Sequence, residues 1–356
     1  MRDAIIIAGW TWEAFNIPER LALSMALLGS RVLYCANPVS SFKEKECPVK
    51  ELEPGIFGFT PRIWGHRLNQ WSFTAAMQSR TIADQIARHA EQLKLRDPIV
   101  IYPYMARILP VCAELRRRGF HMVYVVMDHP QTNLQAHVAL ADQTLVVQRT
   151  SLHPLRAQLG DKVHFLPELA PSLSYQAELS GQTVEHPALA RIPRPRLVYA
   201  GVPHGRVHVG LIREILTARP NWHYVHIGPP DGLELPNSHA LSWIPKNMLG
   251  QILAGTDVGF MPYDCRIERD FNCAPLKLFD YFAAGLPVVS TPIIYLWEMP
   301  DLAYTGDTPA ELIRAVESAL TEPRNGPARA RRKEMAREHS IENIAALLGR
   351  VLPIND

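Results

Sequence analysis

Lys277 and Asp280 sit in the run Asn272-Cys-Ala-Pro-Leu-Lys-Leu-Phe-Asp-Tyr-Phe-Ala-Ala-Gly-Leu-Pro-Val-Val-Ser-Thr291. The pattern predicts a helix that opens at Pro275 after a strand's carboxyl end and is closed by Gly285. The first-turn amides and dipole of such a helix attract an anion. Lys277, in that turn, adds a point charge suited to a diphosphate. Asp280 falls on nearly the same helix face, where a carboxylate can accept two hydrogen bonds from a ribose diol. The bland alternative is an ordinary solvent-facing Lys–Asp pair.

The elements that must position these residues alternate along the chain. Ala4–Ala8 is a short apolar run, as expected of a strand buried on both faces. A turn, Gly9-Trp10-Thr11-Trp12, and a helix from Pro18 to Gly29 follow. Strands are predicted at 31–35, 99–102, 121–127, 144–148 and 162–166, with a helix near 106–118. Residues 167–195 are proline-rich without a long apolar run. The rhythm then restarts with strands at 196–201, 222–228, 257–263 and 287–291, and 327–352 reads as helical. The prediction is α/β, two Rossmann-like domains facing a central cleft. The boundaries are 1–170, a linker at 171–195, a second domain at 196–336 and a closing helix at 337–356.

With these residues in place, the chain resembles the nucleotide-sugar glycosyltransferases of the GT-B fold, within the broad group-1 type. Pro275, Lys277, Asp280, Tyr281, Ala283, Gly285, Pro287, Val288 and Val289 match that group's helix motif, with Asp280 for the commoner Glu. The likeness covers most of 196–352 and is thinner in the first half. It implies a nucleotide-sugar donor, UDP-linked, bound by Pro275, Leu276, Lys277 and Asp280. It adds Arg206 in Gly201-Val-Pro-His-Gly-Arg for the diphosphate, with His204 as a weaker alternative. Trp243 and Ile244 would hold the nucleobase, and Tyr263 would face the phosphates.

Many retaining members carry a first glutamate where this chain has Asn272. The P-L-K-L stretch is closer to enzymes that build bacterial surface polysaccharides, such as the xanthan glucuronosyltransferase, which inverts. Inversion requires a general base for the acceptor hydroxyl. Asp128, after the run His121–Met127, is the first candidate and His129 the second; Asp128 could instead cap the next helix. Gly9, Trp10 and Trp12 lie where the family's first loop approaches donor or acceptor. Arg20, in the helix after that loop, is a further candidate or a solvated residue. A nucleotide-sugar 2-epimerase of the same fold and a non-catalytic sugar-nucleotide binder are the alternative readings.

Composition bounds the rest. The 356 residues carry a formal charge of +2, which makes nucleic acid an unexpected partner. Five cysteines without a C-x-x-C pair indicate neither a disulfide framework nor a zinc site. No D-x-D, G-x-G-x-x-G or G-x-x-x-x-G-K-[ST] occurs, so a metal-independent enzyme without cofactor is expected. The location expected is the cytoplasm, peripheral to the membrane's inner face. Residues 62–80 mix arginines with Trp64, Trp71 and Phe73, a composition able to meet an anionic membrane surface or to form a half-buried cationic helix. The acceptor expected is a hydroxyl, as on a lipid-linked sugar.

Overall fold

The computed structural model describes residues 1–12, 16–40, 48–63, 72–103, 108–127, 133–202, 205–229, 232–267, 273–323 and 325–354. Asp128, His129, His204, Asn272 and residues 64–71 of the basic aromatic stretch lie outside them. The chain divides into two compact units, Met1–Leu169 with Ile341–Asp356, and Ala170–Ser340.

The first unit runs β1 (Ala4–Ile7), α1 (Ile17–Leu27), β2 (Val32–Cys35), β3 (Val39–Ser40), β4 (Lys50–Glu53), β5 (Ile56–Phe59) and β6 (Arg62–Ile63). It continues α2 (Ser72–Gln92), β7 (Ile99–Pro103), α3 (Leu109–Arg117), β8 (His121–Val126), α4 (Leu134–Leu140), β9 (Gln143–Val146), α5 (Arg149–Leu159) and β10 (Val163–Phe165). Eight strands form one sheet in the order β10-β9-β8-β7-β1-β2-β5-β4, parallel except for β4 against β5. The interior strands are buried on both faces, which is why β1 reads Ala-Ile-Ile-Ile. Asp3 is fully buried, and its carboxylate accepts from the amides of Arg31 (2.8 Å) and Arg96 (2.7 Å). It thereby fixes the starts of two neighbouring strands. The chain's last helix, Ile341–Val351, buries Ile341, Ile344, Ala345 and Leu348 and packs on α1. Ser24 donates to the Ile341 carbonyl (3.3 Å), and Gly349 meets Leu28.

The second unit runs α6 (Leu173–Gly181), β11 (Arg196–Ala200), α7 (Val209–Ala218), β12 (His223–Ile227), β13 (Ser238–Leu241) and α8 (Lys246–Ala254). It ends with β14 (Val258–Met261), α9 (Lys277–Ala284), β15 (Val288–Ser290), β16 (Tyr304–Thr305), α10 (Pro309–Leu320) and α11 (Pro327–Glu338). Its six strands are all parallel in the order β13-β12-β11-β14-β15-β16. This is the doubly wound Rossmann order, and connections leave β11 and β14 in opposite directions. Ligands of such sheets bind at the carboxyl ends beside that switch point.

Three sequence expectations differ from the structure. Residues 171–195 are not a bare linker, because α6 packs on α8 and α9 within the second unit. The stretch 327–352 is two helices, interrupted at His339 and Ser340, and the second belongs to the first unit. The α9 helix proper starts at Lys277 rather than at Pro275. Pro275 and Leu276 instead form a tight turn whose carbonyls accept from the amides of Leu278 and Phe279, both at 3.0 Å.

Candidate active site

The motif residues gather at the switch point of the second unit. Lys277 is the first residue of α9. Its Nζ donates to the hydroxyls of Tyr199 on β11 (3.2 Å) and Tyr263 after β14 (3.0 Å). The ammonium also lies 4.3 Å from the Tyr199 ring centroid and 5.3 Å from that of Tyr263. Among the described residues no carboxylate pairs with it. The solvent-facing Lys277–Asp280 pair is therefore not formed. Asp280 is half-buried one turn on.

The ammonium sits over Gly201. A Cβ on Gly201, whose φ is 138°, would stand 3.2 Å from both Cε and Nζ of Lys277. Gly201 is itself gripped from below. Its carbonyl faces Nε2 of the buried His226 (3.0 Å), and its amide donates to Ile227 (2.9 Å). Gly228, with φ 140°, passes so close that a Cβ there would lie 2.6 Å from the Gly201 carbonyl oxygen. Glycine is required at both positions by backbone angle and by space.

Two further ties complete the shelf. Val207 bridges to Tyr263. The amide of His208 donates to Pro262 and that of Asp264 to Arg206, both at 2.8 Å. The loop carrying half-buried Arg206 is thus stitched to the end of β14. The Tyr281 hydroxyl donates to Val198 (3.2 Å) and accepts from the Ala200 amide (2.9 Å), fastening α9 to the end of β11. Burial pushes the phenols of Tyr263 and Tyr281 up; at Tyr263 the charge of Arg206 opposes the shift. Tyr263 therefore stays protonated and meets the ammonium with a lone pair.

Ile244 packs against the core, while Trp243 is 65% exposed after the carboxyl end of β13. The other expected residues lie in the first unit. Gly9 is buried after β1, Trp10 is exposed, and Trp12 packs edge-on against Tyr34 at 5.0 Å. Arg20 is not solvated: it is buried and donates to the Leu169 carbonyl. Described β8 stops short of Asp128. Sequence reasoning missed Tyr199 and His226. The one signal available was a polar-tipped aromatic immediately before Ala200-Gly201.

Two cavities of about 460 and 440 Å³ lie elsewhere in the second unit, beside Tyr175 and Asn247 and beside Asp257 and Arg329. The shelf is defined by charge rather than by enclosure within this unit. Among the described residues no group of three or more His, Cys, Asp or Glu side chains could hold a metal ion. No described helix is long and apolar enough to cross a membrane.

Solved structures share this architecture over nearly the whole chain. A structure titled trehalose-6-phosphate from E. coli, bound with UDP-2-fluoro glucose, superposes with a TM-score of 0.72 at 13% identity, covering 99% of each chain. The fold is GT-B. A trehalose-phosphate synthase (UDP-forming) from Burkholderia vietnamiensis gives 0.73 at 12% identity, covering 99% of this chain and 98% of that one. Sucrose-phosphate synthase from Thermosynechococcus elongatus gives 0.71 at 13% with the same coverage. In sequence, a Bacillus subtilis (strain 168) protein provisionally named a teichuronic acid biosynthesis glycosyltransferase, TuaH, is 28% identical over 146 residues. That match spans 36% of this chain and about a third (35%) of the relative. No family model matches the chain.

Proposed function

We propose that this chain transfers a sugar from a nucleoside diphosphate sugar, UDP-linked, to a hydroxyl acceptor. The observation that carries the reading is the Lys277 ammonium, without a carboxylate partner among the described residues, at a helix start beside the switch point of a parallel sheet. A cation so placed can stabilise a departing diphosphate without a metal. Arg206 adds a second positive charge, Asp280 takes the ribose diol, and the exposed Trp243 ring with Ile244 receives the base. The GT-B fold and the TuaH likeness support the same chemistry.

In this reading the first unit carries the acceptor side. Asp128 removes the acceptor proton, His129 is the alternative base, and the Gly9–Trp12 loop lies near the sugar. Asn272 in place of a first carboxylate favours inversion. A lipid-linked sugar acceptor, with residues 62–80 against an anionic leaflet, fits the basic aromatic composition of that stretch.

A thermal-shift screen of nucleotides and nucleotide sugars tests the donor. A ligand at 100 times its Kd stabilises the native state by about 2.7 kcal/mol. UDP and a UDP-sugar are expected to raise the melting temperature, and a flat response to every nucleotide would reject the reading. With the donor in hand, Asp128→Asn should lower kcat by about 10²–10⁴-fold at unchanged donor affinity. Wild-type turnover in that variant would leave Asp128 a helix cap.

A further inference from the structure

We propose that Tyr199 and Tyr263 are positioning residues that hold the Lys277 ammonium ready for the donor diphosphate. Tyr199 extends that hold to the loop after β11. The inference rests on the donor reading above. Both rings are buried, and phenylalanine would fill the same space. The hydroxyls are what packing leaves unexplained, since a buried hydroxyl is costly unless bonded. Each accepts one ammonium proton, at 3.2 and 3.0 Å, leaving the third proton for an anion.

The two rings do a second job. They lie within cation–π range of the ammonium, at 4.3 and 5.3 Å. A neutral pair of acceptors restrains a flexible four-carbon side chain without cancelling its charge. A carboxylate in either place would restrain it equally well and compete with the incoming phosphate. The Tyr199 hydroxyl also donates to the Val202 carbonyl (3.4 Å). Tyr263 is anchored by its bridge to Val207. Lysine, glycine loop and Arg206 loop are thereby tied into one preformed seat, which lowers the ordering cost of binding.

The test is calorimetric titration of UDP into wild type, Lys277→Ala, Tyr199→Phe, Tyr263→Phe and each Phe variant combined with Lys277→Ala. Lys277→Ala should weaken UDP by roughly 10- to 100-fold, and each Phe substitution by about fivefold. On the Lys277→Ala background the Phe substitutions should add nothing, because they act through the lysine. An equal fivefold loss on both backgrounds would mean that the tyrosines serve the fold, and the proposal would be overturned. So would a loss from Lys277→Ala with none from either tyrosine. UDP binding that ignores Lys277→Ala would instead overturn the donor reading itself. Lysine ¹⁵Nζ NMR of the ligand-free protein gives a reading independent of affinity. The Lys277 ammonium should be ordered in wild type and gain rotation in Tyr199→Phe; equal mobility in both would count against the proposal.

Discussion

At the amino ends of the strands in the second unit, Arg196 is buried and wholly engaged; at the carboxyl ends, Lys277 is not. Arg196 donates to the carbonyls of Ile192 (2.7 Å), Gly255 (2.7 Å) and Leu189 (2.8 Å), and pairs with Glu185 at 2.8 Å. That contact holds the Glu185 carboxyl below its usual range. Its own amide donates to Asp257 (2.8 Å), which also pairs with Arg194. Lys277 has two neutral hydroxyls instead. A cation whose partners are complete joins elements together. A cation given orientation without neutralisation is left with attraction to spend on a ligand. On the proposed reading, the same sheet keeps structural charge at one end and binding charge at the other.

The largest expected effect comes from breaking the structural end. Arg196→Ala strips the buried carbonyls of Ile192 and Gly255 of this donor, leaves Leu189 with only the Ile192 amide, and takes from Glu185 its closest partner. Glu185 is half-buried and keeps Arg194 as a partner, so the cost comes mainly from the buried carbonyls, at about 1–3 kcal/mol for each one left unsatisfied. Chemical denaturation should show that loss in the midpoint, while folded protein keeps wild-type UDP affinity. A change below about 1 kcal/mol would show that the two ends do not differ as described.

Lys277→Met is the reciprocal substitution. Donor affinity should fall by roughly 1.5–3 kcal/mol, the worth of a charge-assisted hydrogen bond. Global stability should fall by only about 1–2 kcal/mol, because two hydrogen bonds to neutral hydroxyls and two cation–π contacts are lost but no buried charge is left unpaired. A stability loss as large as that of Arg196→Ala would place Lys277 among the structural charges.

The smallest effect is expected from the imidazoles near Arg196. His223 and His239 lie with Nδ1 and Nε2 3.0 Å apart and rings stacked. Burial, first, and the Arg196 charge hold both below the ordinary histidine range; His223 adds to the effect on His239. The unfolded chain then binds protons more readily than the native one below about pH 6.5. Their contribution is intact above that pH and lost as pH falls beneath it. Melting temperature should drop between pH 7.5 and 5.5, and His239→Gln should flatten the slope. An unchanged slope would remove this pair from the acid response.

The asymmetry also explains what could be read from the chain alone. Interior strands of a parallel sheet are buried on both faces, so β1, β7, β8 and β14 appear as continuous apolar runs. The edge strand β4, Lys-Glu-Leu-Glu, has no such face. α6 escaped notice because its buried residues are only Gln176 and Leu179. Lys277 was legible because a helix start is written locally. Its hold was not: Tyr199 lies 78 residues away, and only the strand order β11-β14 makes it a neighbour. Asp128 remains a proposal from its place after β8.

The last helix carries a consequence for synthesis. The first unit needs Ile341–Val351 against α1, yet the whole second unit is encoded in between. At roughly 5–20 residues per second, the ribosome takes on the order of ten to thirty seconds to add residues 170–340. Throughout that interval the nascent first unit shows α1 without its cover, a surface for chaperones to shield. A late stop codon would therefore injure the part of the protein that was made first.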